Sequence, residues 1–243
     1  MQDSHANADY DIRASGLRKL FGSFEALEGI DLDIEKGEFF TLFGPNGAGK
    51  TTFIKILATL AKPSSGSLTI SGFDAKKEPD KVRRITGVIS HDPFLYENLS
   101  AFENIKFFGT LYGLGETDER AEEVIGQVGL GKRKHDLVRN FSRGMKQRLA
   151  VARAIVHSPG ILLLDEPYTG LDQHGAKVFG EMLALLKAQN RTILMTTHNI
   201  DEGLDRSDRV GILAGGRIVY DGSGKGINKE DFKKIYVSSV ENS

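Results

Sequence analysis

Phe39-Phe-Thr-Leu-Phe43-Gly44-Pro-Asn46-Gly47-Ala-Gly49-Lys50-Thr51-Thr52-Phe-Ile-Lys-Ile-Leu57 is the stretch that decides the fold. A dense apolar run comes first, a glycine-rich loop interrupts it, and residues with helical spacing follow. The run reads as a buried strand and TTFIKILATLAKP as a helix ending before Pro63. The loop satisfies G-x-x-x-x-G-K-[ST] in full. Glycines at 44, 47 and 49 let successive backbone N–H groups point into one concavity, and the N-terminal end of the helix adds to its attraction for phosphate. Asn46 and Thr52 flank this nest. Lys50 supplies a point charge to the β- and γ-phosphates, and the Thr51 hydroxyl is suited to Mg²⁺.

Downstream, Ile161-Leu-Leu-Leu-Asp165-Glu166-Pro167 is an apolar strand tipped by two acids. A continuous apolar strand suits a parallel sheet covered on both faces. Asp165 is placed to hold Mg²⁺ through water. Glu166, one residue on, is placed to polarise the water that attacks a phosphate. His198 follows a third apolar run, Thr192–Thr196, and should stand at the same edge of the sheet. Further strands are expected at Leu17–Phe21, Leu32–Ile34, Leu68–Ile70, Gly87–Ser90, Val210–Leu213 and Arg217–Tyr220, the last two joined by a Gly215–Gly216 hairpin. Helices are expected to begin at Ser142 and to cover Lys177–Ala188. Strands alternating with helices give an α/β class.

Composition narrows the function. The formal net charge of -1 carries no basic footprint for nucleic acid. The absence of cysteine excludes disulfides and thiolate metal sites. No apolar run reaches the roughly 18 residues that span a bilayer. The polar, acidic start MQDSHANADYD does not read as a signal peptide. The expectation is a protein at the cytoplasmic face, joined to the membrane only through a partner. Residues 1–14 are expected to be a disordered tail before a single domain, 15–243. A helical subdomain is expected as an insertion at about 92–157, where ENIKFFGTLYG and TDERAEEVIGQV carry helical spacing.

Asn140-Phe-Ser142-Arg143-Gly144-Met145-Lys-Gln-Arg-Leu-Ala-Val-Ala-Arg-Ala, upstream of the acid-tipped strand, completes a pattern. The chain resembles the nucleotide-binding domains of ATP-binding cassette transporters from about Ser15 to about Ser223. This implies a P-loop ATPase core with a small antiparallel β subdomain and a helical subdomain, and ATP and Mg²⁺ as ligands. Ser142 and Gly144 fall on the family's signature serine and second glycine. Arg143 stands where the first glycine is usual, and Met145 where glutamine is usual. By the same resemblance Phe21 stacks on adenine, Lys50 and Thr51 are the phosphate-loop pair, and Asp165 is the magnesium-associated acid. Glu166 is then the catalytic carboxylate and His198 the switch that senses the γ-phosphate. Thr169-Gly-Leu-Asp172 matches the loop that crosses a dimer interface. His91 occupies a position where the family has glutamine. It offers a nitrogen to Mg²⁺ or water with a shorter reach, and unlike glutamine it can take up a proton.

The resemblance also implies partners. Such domains form head-to-tail homodimers, with each ATP between the phosphate loop of one copy and the signature loop of the other. An integral membrane subunit would rest on the groove between the core and the helical subdomain, near His91–Asn104. Val88-Ile-Ser-His-Asp-Pro-Phe-Leu-Tyr-Glu-Asn-Leu-Ser100 looks like the ATPase subunit of haem exporters that serve c-type cytochrome maturation. Haem export is therefore the expected cargo. The Ser-Arg-Gly-Met run also occurs in drug and polysaccharide exporters, so export of a drug, polysaccharide or lipid is the alternative. A non-transport ATPase of the same fold, or a scaffold without catalysis, is the alternative of another class. Intact Lys50, Asp165, Glu166 and His198 speak against the scaffold.

Overall fold

The computed structural model describes residues 10–241. It opens with a long hairpin, β1 (Tyr10–Phe21) and β2 (Phe24–Glu35), before β3 (Phe39–Phe43) and α1 (Lys50–Leu57). Next come β4 (Ser65–Ile70), β5 (Phe73–Asp74), α2 (Pro79–Ile85) and β6 (Thr86–Ser90). Three helices lie between β6 and β7: α3 (Ala101–Leu111), α4 (Thr117–Gln127) and α5 (Arg143–Ile155). The chain then runs through β7 (Ile161–Asp165), α6 (Gln173–Ala188), β8 (Thr192–Thr197) and α7 (Ile200–Gly203). It finishes with β9 (Arg209–Ala214), β10 (Arg217–Ser223) and α8 (Lys229–Glu241).

Two sheets result. β2-β1-β4-β5 is antiparallel, and β10-β9-β3-β8-β7-β6 is parallel except for its β9–β10 hairpin. Side chains alternate across the parallel sheet, as strand geometry requires. Ile161, Leu163, Phe40 and Leu42 face α1 and the antiparallel sheet. Leu162, Leu164, Phe39 and Met195 face a second core that includes residues of α3, α4, α5 and α6. Both faces are covered, so every residue of β3, β7 and β8 is buried, and β3 and β7 are apolar along nearly their whole length. A third, smaller core joins Phe43 at the end of β3 to Phe232 of α8, with ring centroids 4.9 Å apart.

Several sequence expectations need correction. Tyr10–Ala14, expected in the tail, belongs to β1, because Ile12 and Ala14 are buried against Ile70 and Leu68 of β4. Residues 1–9 of that tail lie outside the described residues. Helix α1 stops at Leu57 and not just before Pro63. Thr59 turns left-handed at φ 58°, and the Leu60 and Ala61 amides both fold back onto the Lys55 carbonyl at 2.8 and 3.0 Å. α2 and α8 have no counterpart in the sequence reading. α8 is mostly polar; Phe232 is its one buried residue, and Ile235, Tyr236 and Val240 pack beside it in a short stripe at helical spacing.

The sheet edge opposite the phosphate loop is pinned by Asp208. Its carboxylate accepts the Phe39 amide at 2.9 Å, Lys187 at 2.5 Å and Lys225 at 2.8 Å. Partial burial alone would raise its pKa, but the lysine hydrogen bonds and the Phe39 amide outweigh it and hold the group at about 2. A carboxyl whose folded pKa is depressed stabilises the fold above its unfolded pKa and loses that stabilisation as pH falls through the folded value. Asp208→Asn is therefore expected to cost about 2 kcal/mol at pH 7. In denaturant titrations the gap between parent and variant should close as pH drops from about 4 to about 2.

Candidate active site

The parallel sheet brings the chemistry together by register. β3, β8, β7 and β6 are consecutive neighbours, with Phe43 level with Thr197, Asp165 with Thr196, and Ser90 with Asp165. The next residues along these strands are Gly44, His198, Glu166 and His91. Four loops distant in sequence thus leave one edge side by side, at the carboxyl ends of the strands where open α/β sheets bind ligands.

The phosphate loop needs its glycines for space as well as for rotation. Gly49 sits at φ 106°, and a Cβ there would lie 2.5 Å from the Ala26 carbonyl oxygen. The loop is thereby pressed against β2, and α1 starts directly behind it. A cavity of about 530 Å³ opens in front, lined by residues 46–52 together with His91, Glu166, Thr169 and His198. The hairpin supplies its wall through Phe24 and Ala26.

Inside the cavity Lys50 is only 6% exposed. Its ammonium donates to the carbonyls of Gly44 at 2.6 Å and Pro45 at 3.0 Å, and lies 3.2 Å from Glu166 Oε1. The other carboxylate oxygen of Glu166 lies 2.9 Å from His198 Nδ1. Glu166 therefore bridges the two groups expected to meet the γ-phosphate. Its backbone is held in the left-handed region at φ 48°, with its amide donating to the Thr196 carbonyl at 3.0 Å. A non-glycine residue there carries strain of order 1–2 kcal/mol, which surrounding structure has to overcome. Asp165, buried one residue earlier, accepts the Thr196 hydroxyl at 2.8 Å.

The α7–α8 side adds two titratable neighbours. Burial pushes the Glu202 carboxyl up against the opposing pull of Asn199 and His198. Burial, and secondarily the Glu166 charge, push the Tyr236 phenol up. α8 thus stands beside the catalytic edge, a placement that the sequence reading missed.

Most of the expected site residues fall into two groups, while Gly44 and Asp165 sit just behind the first and line neither cavity. Asn46, Gly47, Gly49, Lys50, Thr51, Thr52, Glu166, His198 and His91 share the cavity. Ser142 and Gly144 line a different one of about 290 Å³, with Arg143, Gly170, Leu171 and Asp172. Ser142 caps α5 there, its hydroxyl accepting the Met145 amide at 3.3 Å. Phe21, expected against adenine, is not among the residues lining the phosphate cavity. It ends β1 with Lys19 Nζ 4.9 Å from its ring, and its register partner Phe24 forms the wall instead. Two further residues escaped the sequence reading. Thr196 orients Asp165 across the β7–β8 pairing, a neighbourhood that the sequence does not display. Gln147, whose amide donates to the Pro167 carbonyl at 2.9 Å, gave no signal either.

The donor set fits a nucleotide with magnesium. A glycine nest with a lysine suits phosphates, while the exposed Thr51 hydroxyl and the Asp165 carboxylate are the hard oxygens that Mg²⁺ prefers. Among the described residues no cluster of three or more His, Cys, Asp or Glu could hold a metal by itself. A cation at Thr51 would thus need the phosphates to complete its shell, as Mg²⁺ commonly does.

Comparison with known proteins gives the same reading. Residues 27–169 match the family described as ABC transporter. The chain is 37% identical to the ABC transporter ATP-binding protein NatA of Bacillus subtilis, over 89% of this chain and 91% of that one. It is 36% identical to the linearmycin resistance ATP-binding protein LnrL of the same organism, over 86% of this chain and 68% of that one. Among solved structures, the dimeric post-hydrolysis state of an ATP-binding cassette bound to ADP and Pi superposes with a TM-score of 0.81. It is 27% identical, over 89% of this chain and all of that one.

Lys50→Ala removes the only ammonium that lines the phosphate cavity among the described residues. Its expected effect is at least a tenfold weaker affinity for ATP, measured by calorimetry, with the circular dichroism spectrum unchanged.

Proposed function

Because this chain belongs to the ABC transporter family, we propose that its ATP hydrolysis drives export of a drug, polysaccharide or lipid through a separate membrane subunit. It binds ATP with Mg²⁺ and hydrolyses it. The observation that carries the hydrolytic reading is the Lys50–Glu166–His198 bridge across the ends of β3, β7 and β8. Arriving γ-phosphate competes with the Glu166 carboxylate for Lys50 and His198. Once displaced, Glu166 is free to accept a proton from water as that water attacks the γ-phosphorus and ADP leaves. Thr51 and Asp165 would hold Mg²⁺, which neutralises charge on the β- and γ-phosphates when bound. His91 reaches the same cavity from β6 and would orient water or magnesium. The hairpin tip offers Phe21 and Phe24 to the adenine.

The separation of Ser142 and Gly144 from the phosphate cavity supports a head-to-tail homodimer, in which the signature loop of one copy closes the site of the other. A solved relative that is dimeric with ADP and Pi points the same way. No described helix is long and apolar enough to cross a membrane, and the proposed coupling runs through a separate membrane subunit. A groove of about 460 Å³ between α3, α5 and the end of α1 would receive it. Leu60, Leu111 and Phe94 are 68%, 66% and 59% exposed there, with Phe108, Tyr112 and Arg153 beneath. Contiguous exposed apolar surface of this kind marks an interaction site.

On cargo, the names of relatives such as the linearmycin resistance ATP-binding protein favour a drug or lipid, while the Ser142-Arg-Gly-Met run is compatible with either reading. The relatives outweigh the haem cargo suggested by residues 88–100. Two experiments test the proposal. Glu166→Gln is expected to retain ATP binding and to slow phosphate release by about 10²-fold or more; parent-rate hydrolysis would remove Glu166 from its role. The Leu60→Asp, Leu111→Asp pair should lose co-purification with an integral subunit from native membranes while keeping the ATPase rate of the isolated chain. Retained co-purification would place the docking surface elsewhere.

A further inference from the structure

Arg143 stands where glycine is usual in the signature loop, and its side chain is committed. Its guanidinium donates twice to the Thr169 carbonyl, from Nε at 3.1 Å and from Nη2 at 2.7 Å. It also lies flat on Gly170. That glycine has φ 75°, and a Cβ there would come within 2.4 Å of the guanidinium carbon. One helical turn further along α5, Gln147 donates to the Pro167 carbonyl at 2.9 Å in a buried bond. Residues i and i+4 of one helix therefore grip two carbonyls of the loop that leaves Glu166. The loop closes on itself as well, through Thr169 N to Glu166 O at 3.2 Å and Leu171 N to Tyr168 O at 3.0 Å.

Gln147 is buried and fixes the near end of this loop to α5. The far end, Thr169–Gly170, has no such buried tie to α5. Arg143 supplies that second point, and two points fix an orientation where one leaves a pivot. Glycine at position 143 would leave the Thr169 carbonyl without this donor. Glu166 itself sits in a strained left-handed conformation, so its carboxylate direction depends on what restrains the residues after it.

We propose that Arg143 is a positioning residue, locking the signature end of α5 to the Glu166 loop of the same chain and thereby setting the aim of the Glu166 carboxylate. The inference rests on the hydrolytic reading above. In a head-to-tail dimer it has a further consequence. Ser142 and Gly144 would serve the partner's ATP while Glu166 serves the chain's own, and Arg143 joins the two. Arg143 does not itself line the phosphate cavity and reaches it only through the backbone of Thr169, far from Lys50, so it acts on turnover more than on nucleotide capture.

The test measures steady-state ATPase, ADP affinity by calorimetry, and thermal stability on the full chain. The variants are Arg143→Ala, Arg143→Lys, Gly170→Ala and the Arg143→Ala, Gly170→Ala pair. Arg143→Ala is expected to lower kcat about tenfold while ADP affinity stays within about twofold. Arg143→Lys should recover part of kcat, because an ammonium keeps the charge but not the planar fork. Gly170→Ala should lower kcat by displacing the guanidinium, and should cost less in the Arg143→Ala background, since the clash is gone. Parent kcat in Arg143→Ala overturns the proposal. So does a loss of kcat matched by an equal loss of ADP affinity, or strict additivity of the pair. If Arg143→Ala does not fold, the kcat of Arg143→Lys decides alone, parent turnover counting against the fork. A parent chain without ATPase activity would instead defeat the hydrolytic reading on which the inference rests.

Discussion

The carboxylate of Glu166, held between the Lys50 ammonium and the His198 imidazole, is the interaction on which this structure turns. Glu166 and His198 directly follow β7 and β8, while Lys50 opens α1 behind the loop that leaves β3, and the bridge exists only because β3, β8 and β7 are neighbours in matched register. The same bridge explains how Lys50 is accommodated in a nearly closed position. A buried ammonium without a partner would be costly or would lose its proton. Here two loop carbonyls accept hydrogen bonds from it and a carboxylate pairs with its charge at 3.2 Å. The resting site is thus satisfied internally, with a carboxylate holding the place that a phosphate is built to take.

That arrangement makes the surrounding scaffold intelligible. Glu166 reaches the bridge by adopting a left-handed backbone, and strain of this kind persists only where neighbours over-determine it. Those neighbours are the Thr196 carbonyl on one side and the α5 side chains Gln147 and Arg143 on the other. Thr196 serves twice, since its hydroxyl also orients Asp165. The signature segment, the acid-tipped strand and the switch strand therefore form one mechanical unit at the edge of the sheet. A γ-phosphate entering this edge has to rearrange charge contacts shared by all of them. Through such shared contacts, nucleotide state would bias the membrane partner that we propose to rest on α3 and α5.

Much of this was legible in the sequence, for identifiable reasons. Gly44–Thr51 announces itself because nest, lysine and hydroxyl must be contiguous to act on one phosphate group. Ile161–Glu166 is readable because a strand covered on both faces has to be apolar until it ends. His198 needed the family resemblance, since a histidine after a strand is ambiguous by itself. Four things stayed hidden. The order of strands in the sheet depends on pairings between residues far apart in the chain. The early end of α1 at Leu57 comes from a backbone turn at Thr59 that its apolar pattern continues straight through. Phe24 in place of Phe21 at the cavity wall is a matter of ring placement at a hairpin tip. α8 is mostly polar, and the short stripe of Phe232, Ile235, Tyr236 and Val240 that packs beside Phe43 is set among charged residues.

The claim at the centre of this account is that Glu166 competes with the γ-phosphate for Lys50 and His198. The direct measurement is calorimetric affinity for ATP and for ADP, without magnesium, in the parent and in Glu166→Gln. Removing the competing negative charge should tighten ATP binding several-fold and ADP binding much less, because only ATP carries the phosphate that replaces the carboxylate. Equal changes for the two nucleotides, or no change for ATP, would contradict the account and reduce the bridge to a contact without consequence for binding.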